Sequence, residues 1–510
     1  MPLASQRLPD TDDGFAGLLT EATERTPDRL FARFDGEPIT MFELESRGAG
    51  LAAWLAREGV RAGDRVALML HNSPLSLSLL FAIARTGAVW VPINVQSRGD
   101  NLAYILGHAT PTLVVCEDDL APVVGESRAG PARLRTASEL EQARLDAPLE
   151  LGPATRDADA PFAIMYTSGT TGPPKGVIVS HRMLRLSGEA VALVSGARAG
   201  DVMFMWEPLF HIGGAQMIVL PLIRDVRLEM TRRFSASRFW EQVRAAGATH
   251  IHFLGGILQM LLKQPPSPLD RQHGVRIAWG GGCPREVWLD FEQRFGVEIR
   301  ECYGMTECSS VTTYNDRGVV GSVGHPLPWF TVELVDAAGA PVGPGERGEM
   351  VVRTTLPGAL TRGYLNNAEA TARALRNGAF HTGDLGSVDS GGNFYFHGRM
   401  TDSVRVKGQN VSAFEVEHVA AKHPDVEDCA MIGVAADVGE QDIKLFVKPR
   451  AGATLDEPAL SRWLEARLAP YQLPRYIVLV REFERTPSQR IMKHKLAAIA
   501  DKGWDRLAGR

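Results

Sequence analysis

The chain has 510 residues, 45% hydrophobic and 23% charged, which is the composition of an ordinary globular protein with more than one core and excludes a disordered or fibrous one. Its formal charge of -5 gives no broad basic field, so nucleic acid and anionic membrane surfaces are excluded as partners and any phosphate must be held by a local site. Five scattered cysteines form neither a C-x-x-C pair nor a disulfide framework, so a reducing compartment and no structural metal are expected. The opening residues carry no apolar leader segment, and the most apolar run, Leu75 to Ala84, is about half a membrane span, so the cytoplasm is the expected location.

In chain order, Thr40 and Glu43 have capping-box spacing ahead of the stripe Leu44, Leu51, Leu55, which predicts a helix. Val66 to Leu70 and Ala88 to Ile93 are short apolar runs flanking the helix-like Leu75 to Ala84, a β-α-β pattern that predicts a mostly parallel, helix-covered sheet. The polar stretch Ala121 to Asp159 is expected to be surface helix and loop, and Ala163 to Tyr166 the strand that opens a second α/β unit. Beyond Pro326 the pattern changes to alternating strands, Thr331 to Val335 and Glu349 to Arg353, joined by turns such as Ala338-Gly-Ala-Pro341 and Pro344-Gly-Glu-Arg-Gly348, which predicts a small β unit. After Gly398-Arg399 a self-contained set follows: a helix opened by Ser412-Ala-Phe-Glu415, strands at 429–434 and 443–448, a helix over 456–468 and a strand at 476–480. The fold class is therefore α/β: a large N-terminal domain (1–398) of two helix-covered sheets plus a small β unit, and a smaller α+β C-terminal domain (399–510).

The densest chemical signal is Tyr166-Thr-Ser-Gly-Thr-Thr-Gly-Pro-Pro-Lys-Gly176. Gly169, Gly172 and Gly176 allow close backbone approach, Thr167, Ser168, Thr170 and Thr171 add hydroxyls, Lys175 adds charge, and Pro173 and Pro174 stiffen the turn, which together make a phosphate cradle. It is not the nucleotide P-loop, because the lysine is followed by Gly and preceded by two prolines. A plain Gly/Ser/Thr surface turn is the alternative, and so dense a coincidence after a strand argues against it.

This segment resembles the signature loop of the adenylate-forming superfamily: acyl-CoA synthetases, peptide-synthetase adenylation domains and luciferases. Pro208-Leu-Phe-His211-Ile-Gly-Gly, Gly280-Gly-Gly-Cys-Pro284, Tyr303-Gly-Met-Thr-Glu307, His381-Thr-Gly-Asp384 and Gly398-Arg399-Met-Thr-Asp402 are similar, in the same order, to its acyl-pocket, adenine, metal, ribose and hinge segments. The resemblance implies ATP or AMP binding by Thr167, Ser168, Gly169, Thr170, Thr171, Gly172, Lys175, Gly282, Cys283, Pro284, Tyr303, Gly304, Met305, Thr306, Asp384 and Arg399. Tyr303 would stack on adenine, Glu307 would be the Mg²⁺ ligand, and Asp384 and Arg399 would hold the ribose hydroxyls. It implies an acyl pocket near Trp206, His211, Gly255, Gly280 and Gly304, to which Phe253, Gly256 and Trp279 are added as neighbours. A large side chain in place of Gly304 would shorten that pocket, so acids larger than acetate are expected. His211 is taken as near the substrate rather than as a base.

In the terminal motif Arg485-Thr-Pro-Ser-Gln-Arg490-Ile-Met-Lys493-His-Lys495, Gln489-Arg490 stands where the family carries Gly and its catalytic lysine. Arg490 is therefore expected to supply the cation, on a planar fork in place of a compact ammonium, with Lys175 and Glu307 as the other catalytic groups. Thr401 occupies the hinge position, where such ligases carry Asp or Lys, and Lys407, Gly408 and Gln409 would lie near the CoA thiol. The implied function is an ATP-dependent acid:CoA ligase that forms an acyl-adenylate and then an acyl-CoA thioester, using ATP, Mg²⁺ and coenzyme A on a small-molecule carboxylic acid. The alternatives are a stand-alone adenylation enzyme loading a carrier protein, and an inactive nucleotide-binding relative. Whether the chain forms a homo-oligomer is left open.

Overall fold

The computed structural model describes residues 14–127, 132–142, 157–167, 174–254, 256–400, 403–406, 409–436, 441–468, 470–485 and 491–508. The chain divides into two compact units, one made of residues 1–169, 173–332 and 352–380 and the other of 170–172, 333–351 and 381–510.

Local chemistry sets the element starts in the first unit. Thr40 Oγ1 accepts from Glu43 N at 3.1 Å while Glu43 Oε2 accepts from Thr40 N at 2.8 Å, and the helix Met41–Arg57 buries Leu44, Leu51 and Leu55, as the spacing predicts. Ser73 and Ser76 cap the helix Pro74–Thr86 in the same reciprocal way, with Gly87 in the left-handed region at its end. That helix follows the strand Arg65–Met69 and precedes Val89–Pro92, and the two strands pair in parallel.

Two sheets result. In the six-stranded one, Arg133–Thr136, Leu113–Cys116, Arg65–Met69, Val89–Pro92 and Pro161–Thr167 run parallel in that order, and Lys175–Ser180 closes the edge antiparallel. The nine-stranded one has a parallel run Glu298–Tyr303, Ile277–Gly281, His250–Leu254, Val202–Met205, Arg227–Met230 and Leu30–Phe34, with short antiparallel strands at both ends. Helices His181–Ser195, Phe239–Ala246 and Arg285–Phe295 bury apolar faces rich in Leu, Val, Phe and Trp.

The strand Arg133–Thr136 corrects the expectation that 121–159 is helix and loop. It is an edge strand with one apolar residue, Leu134, and its pairing with Leu113–Cys116 is made by backbone alone, so no hydrophobic run betrays it. A five-stranded sheet orders Phe330–Val335, Gly348–Thr354, Ala379–Val388 and Leu375–Arg376, with Phe394–Arg399 paired to Ala379–Val388.

The rest of the second unit has a two-stranded antiparallel sheet, Ser403–Val406 with Gln409–Ser412, and a four-stranded sheet. Val426–Ala435 lies antiparallel to Gln441–Pro449, which runs parallel to Tyr476–Leu479. The helices Ala413–Ala420 and Glu457–Glu465 put Val416, Leu460 and Leu464 into one core with Met431, Leu445 and Ile477. Among the described residues no helix is long and apolar enough to cross a membrane.

Candidate active site

Open parallel sheets bind ligands at the carboxyl ends of their strands, and four groups of the predicted site residues fall there. Trp206 to Gly214 follow Val202–Met205, Gly256 follows His250–Leu254, Gly282 to Pro284 follow Ile277–Gly281, and Gly304 to Glu307 follow Glu298–Tyr303. Tyr303 is buried at its strand end. Ser168 to Pro173, Gly255, Thr401, Asp402, Lys407, Gly408 and Thr486 to Arg490 lie outside the described residues, as does the side chain of Gln409.

The flanks of the phosphate turn are placed. Thr167 and Lys175 face each other across the antiparallel pair Pro161–Thr167 and Lys175–Ser180. Lys175 Nζ lies 5.2 Å from the centroid of the Tyr364 ring, and the Tyr364 hydroxyl donates to Glu307 Oε1 at 3.0 Å. One tyrosine thus touches both the cation and the carboxylate that the sequence assigned to phosphate and metal. The segment 359–365 holds this arrangement. Thr361 N donates to Glu307 O at 2.8 Å and its Oγ1 to Ile178 O at 2.7 Å, while Leu365 N donates to Gly176 O at 2.8 Å. Tyr364 is invisible to a reading of local patterns, because its partners lie nearly 60 residues and more away in the chain.

Glu307 is buried on the short turn Thr306–Cys308. Ser309 and Ser310 follow with φ of 53° and 73°, a left-handed pair of non-glycine residues whose strain persists only where surrounding bonds enforce it. Those bonds are Ser309 Oγ to Ala359 O at 2.6 Å, Ser310 Oγ to Gln216 Oε1 at 2.7 Å, and Thr312 N to Tyr303 O at 2.8 Å. Gln216 Nε2 in turn donates to Gly213 O at 3.1 Å, which links the Glu307 turn to the helix beginning after His211. Among the described residues no group of three or more His, Cys, Asp or Glu is arranged to hold a metal by itself. A magnesium ion at Glu307 would take the rest of its oxygen ligands from phosphate and water, which is how Mg²⁺ is held beside nucleotides, so the buried carboxylate fits the ion.

The adenine segment has a support that the sequence reading missed. Gly282 N and Cys283 N both donate to Glu301 Oε1 at 3.0 Å. Burial pushes the Glu301 carboxyl up to about 8 against these two bonds. A signal was present: with a period of two, Glu301 falls on the same buried face as Ile299 and Tyr303, where a carboxylate needs a reason. Burial, with Glu301 adding to it, raises the Cys283 thiol far above the thiol range, so this cysteine contributes shape rather than nucleophilicity.

Two glycines assigned to the acyl pocket have a different cause. A Cβ on Gly304 would lie 1.9 Å from Ser310 O, and one on Gly280, where φ is +154°, would lie 1.9 Å from Phe253 O. Both are required by close backbone approach, so Gly304 gives no measure of pocket length, and that expectation is withdrawn. Trp279 and Phe253 are fully buried core residues. Trp206 is also buried, with its Nε1 donating to His252 O at 2.9 Å. His211 precedes the short helix Ile212–Ala215, its ring 5.4 Å from that of Phe210. Asn72 fastens the loop before it: its amide donates to Glu207 O at 2.8 Å and to Thr231 O at 3.3 Å, and its Oδ1 accepts from Leu209 N at 2.9 Å.

In the second unit, Asp384 is paired in register with Arg399, with Oδ1 to Nε at 3.4 Å. Glu349 shapes the turn before Asp384, accepting from Gly383 N at 3.0 Å and bonding His381 Nδ1 at 3.0 Å. Lys493 Nζ lies 2.8 Å from Glu417 Oε1, and Lys495 pairs with Glu484.

The AMP-binding enzyme family matches residues 19–365, and its C-terminal domain matches 415–490. The crotonobetaine/carnitine--CoA ligase of Salmonella enteritidis is 32% identical over 86% of this chain and 89% of its own length. The benzoate CoA ligase of Burkholderia xenovorans superposes with a TM-score of 0.84 at 25% identity, covering 95% of this chain and 99% of that one. The o-succinylbenzoate CoA synthetase of Bacillus subtilis, solved with its acyl-adenylate intermediate, superposes at 0.86 with 24% identity, covering 96% and 99%. The same synthetase in complex with ATP and magnesium superposes at 0.84, again at 24% identity, covering 94% and 99%. At 24% identity these two likenesses speak for the fold.

Proposed function

This chain belongs to the AMP-binding enzyme family, and on that premise we propose that it is an ATP-dependent acid:CoA ligase. The acid's carboxylate oxygen attacks the α-phosphorus of ATP, the bond to the bridging oxygen breaks, and acyl-AMP and pyrophosphate form. The CoA thiol, losing its proton, then attacks the acyl carbon, and AMP leaves as acyl-CoA is made. Mg²⁺, when bound at Glu307 with phosphate oxygens, neutralises phosphate charge. Lys175 and the hydroxyl-rich turn before it offset the charge that gathers on the phosphate in the transition state, an effect typically worth about 10²–10³ in rate per preorganised donor. Tyr303 and Gly282 to Pro284 receive the adenine, and Asp384 and Arg399 the ribose. The acyl group lies along Trp206 to Gly214 and the end of His250–Leu254.

The observation that carries this reading is the convergence of Lys175 and Glu307 on Tyr364. Arg490 is assigned the family lysine's role, a choice supported by the engagement of Lys493 and Lys495 with Glu417 and Glu484. The small domain begins at residue 399, turns at Thr401, and brings Lys407, Gly408 and Gln409 to the thiol in the second step. The test is release of pyrophosphate across a panel of carboxylic acids with Mg²⁺ and ATP, with and without CoA. Pyrophosphate together with AMP and a thioester in the CoA arm is expected. Pyrophosphate without any CoA thioester would transfer the chain to the carrier-loading class, and nucleotide binding with no pyrophosphate from any acid would end the reading.

A further inference from the structure

Glu207 and His252 are 1% and 2% exposed, and the carboxylate of one bonds Nδ1 of the other. Glu207 Oε2 makes no hydrogen bond among the described residues, and the bond at Nδ1 is the one made by the His252 ring there. The His252 ring packs on Trp279 with centroids 4.2 Å apart. The pair joins the two segments read above as the acyl wall, since Glu207 precedes Pro208 and His252 lies in His250–Leu254. Across from it is Gly213, where a Cβ would find nothing nearer than Leu254 Cδ1 at 3.7 Å and His252 Cε1 at 3.8 Å. The imidazole edge therefore faces a position kept free of side chain.

A buried ion pair is replaceable by apolar residues of similar volume at little or no cost in stability. A carboxylate and an imidazole enclosed among Trp206, Trp279 and Leu254 thus add little to the fold that hydrocarbon would not. They do change what can dock. With Nδ1 engaged by the Glu207 carboxylate, Nε2 is the ring's remaining polar atom, an acceptor for a hydroxyl in the neutral ring and a donor to a keto oxygen in the protonated one, and an acyl group that leaves it unpaired suffers its full desolvation cost.

We propose that Glu207 and His252 form a polar specificity element that selects acids whose acyl group carries a hydrogen-bonding oxygen, a hydroxyl or keto group, over the hydrocarbon of the same length. His252 contacts that oxygen, and Glu207 is a positioning residue that fixes the ring. The proposal rests on the acid:CoA ligase reading and on its acyl segment.

The test compares kcat/KM for pyrophosphate release with oxygenated acids and their parents: 3-hydroxybutyrate with butyrate, levulinate with pentanoate, 4-hydroxybenzoate with benzoate. The wild-type enzyme is expected to favour at least one oxygenated member by roughly tenfold, the yield of one well-made hydrogen bond in a dry site. The double variant Glu207→Leu with His252→Leu is expected to bring that ratio to unity or below while ATP binding is retained. Gly213→Ala, whose methyl fits at ordinary contact distance, is a second variant that folds independently of the pair, and is expected to lower the oxygenated acid's kcat/KM more than its parent's. Hydrocarbon acids preferred throughout by the wild-type enzyme, or a ratio unmoved in both variants, would overturn the proposal while leaving the ligase reading intact. No pyrophosphate from any acid would remove both.

Discussion

At the scale of single residues, the nucleotide end of the site hinges on Tyr364, which carries a cation on its ring and a carboxylate on its hydroxyl. Tyr364→Phe keeps the ring and deletes the bond to Glu307. A hydrogen bond to a charged group is worth about 1.5–3 kcal/mol, so the denaturation midpoint should fall, and adenylation, followed as pyrophosphate release, should slow by roughly tenfold to a hundredfold as Glu307 loses the donor that orients it. Gly304 makes a different kind of prediction. With Ser310 O at 1.9 Å from its would-be Cβ, Gly304→Ala forces the backbone apart and should cost about 1–3 kcal/mol of stability, read as a lowered denaturation midpoint. A stable Gly304→Ala enzyme that merely refuses larger acids would restore the pocket-length reading set aside above.

At the scale of elements, what the sequence disclosed and what it hid have one physical dividing line. The capping box at Thr40 and the apolar runs of the parallel strands are determined within a few residues, and they stand where local chemistry put them. Arg133–Thr136 escaped because an edge strand needs only a backbone partner. Tyr364, Glu301, Glu349, Gln216 and Asn72 escaped because each acts across chain separations that no short motif encodes; Glu301 alone left a trace, as a carboxylate on a buried strand face. The terminal element gives a prediction of its own. Lys493 is engaged by Glu417 on the helix Ala413–Ala420, so Lys493→Ala should loosen the small unit and leave adenylation rates within a fewfold. Arg490→Ala should depress acyl-adenylate formation much more than thioester formation from supplied acyl-adenylate. Equal losses in both half-reactions would refute the assignment of Arg490.

At the scale of the whole molecule, burial of histidines ties stability to pH. His181 and His250 are 1% and 0% exposed, and desolvation holds both at about 4 against an ordinary value of 6.5. His181 Nδ1 accepts from Phe15 N at 3.1 Å, and His250 Nε2 lies 3.2 Å from Ser195 O. Between pH 4 and 6.5 the unfolded chain binds more protons than the folded one, so this contribution is complete above about 6.5 and is lost as pH falls toward 4. Each histidine accounts for roughly 3 kcal/mol over that window, from 1.36 kcal/mol per unit. Urea midpoints measured from pH 7 to 4.5 should fall with acid. His181→Asn, which keeps an acceptor for Phe15 N and cannot titrate, should fall less; identical slopes would remove the explanation.

The amide of Asn72 sits just beyond a strand of the six-stranded sheet and grips Glu207, Leu209 and Thr231, which lie just beyond strands of the nine-stranded one. On the acyl assignment proposed above, the segment is therefore anchored at its root, while Gly213 in the helix Ile212–Ala215 has room for a methyl. Descendants of such a chain can retune which acid they accept by exchanging residues of that helix, one at a time. A change at the anchor would instead shift the entire loop and surrender every acid together.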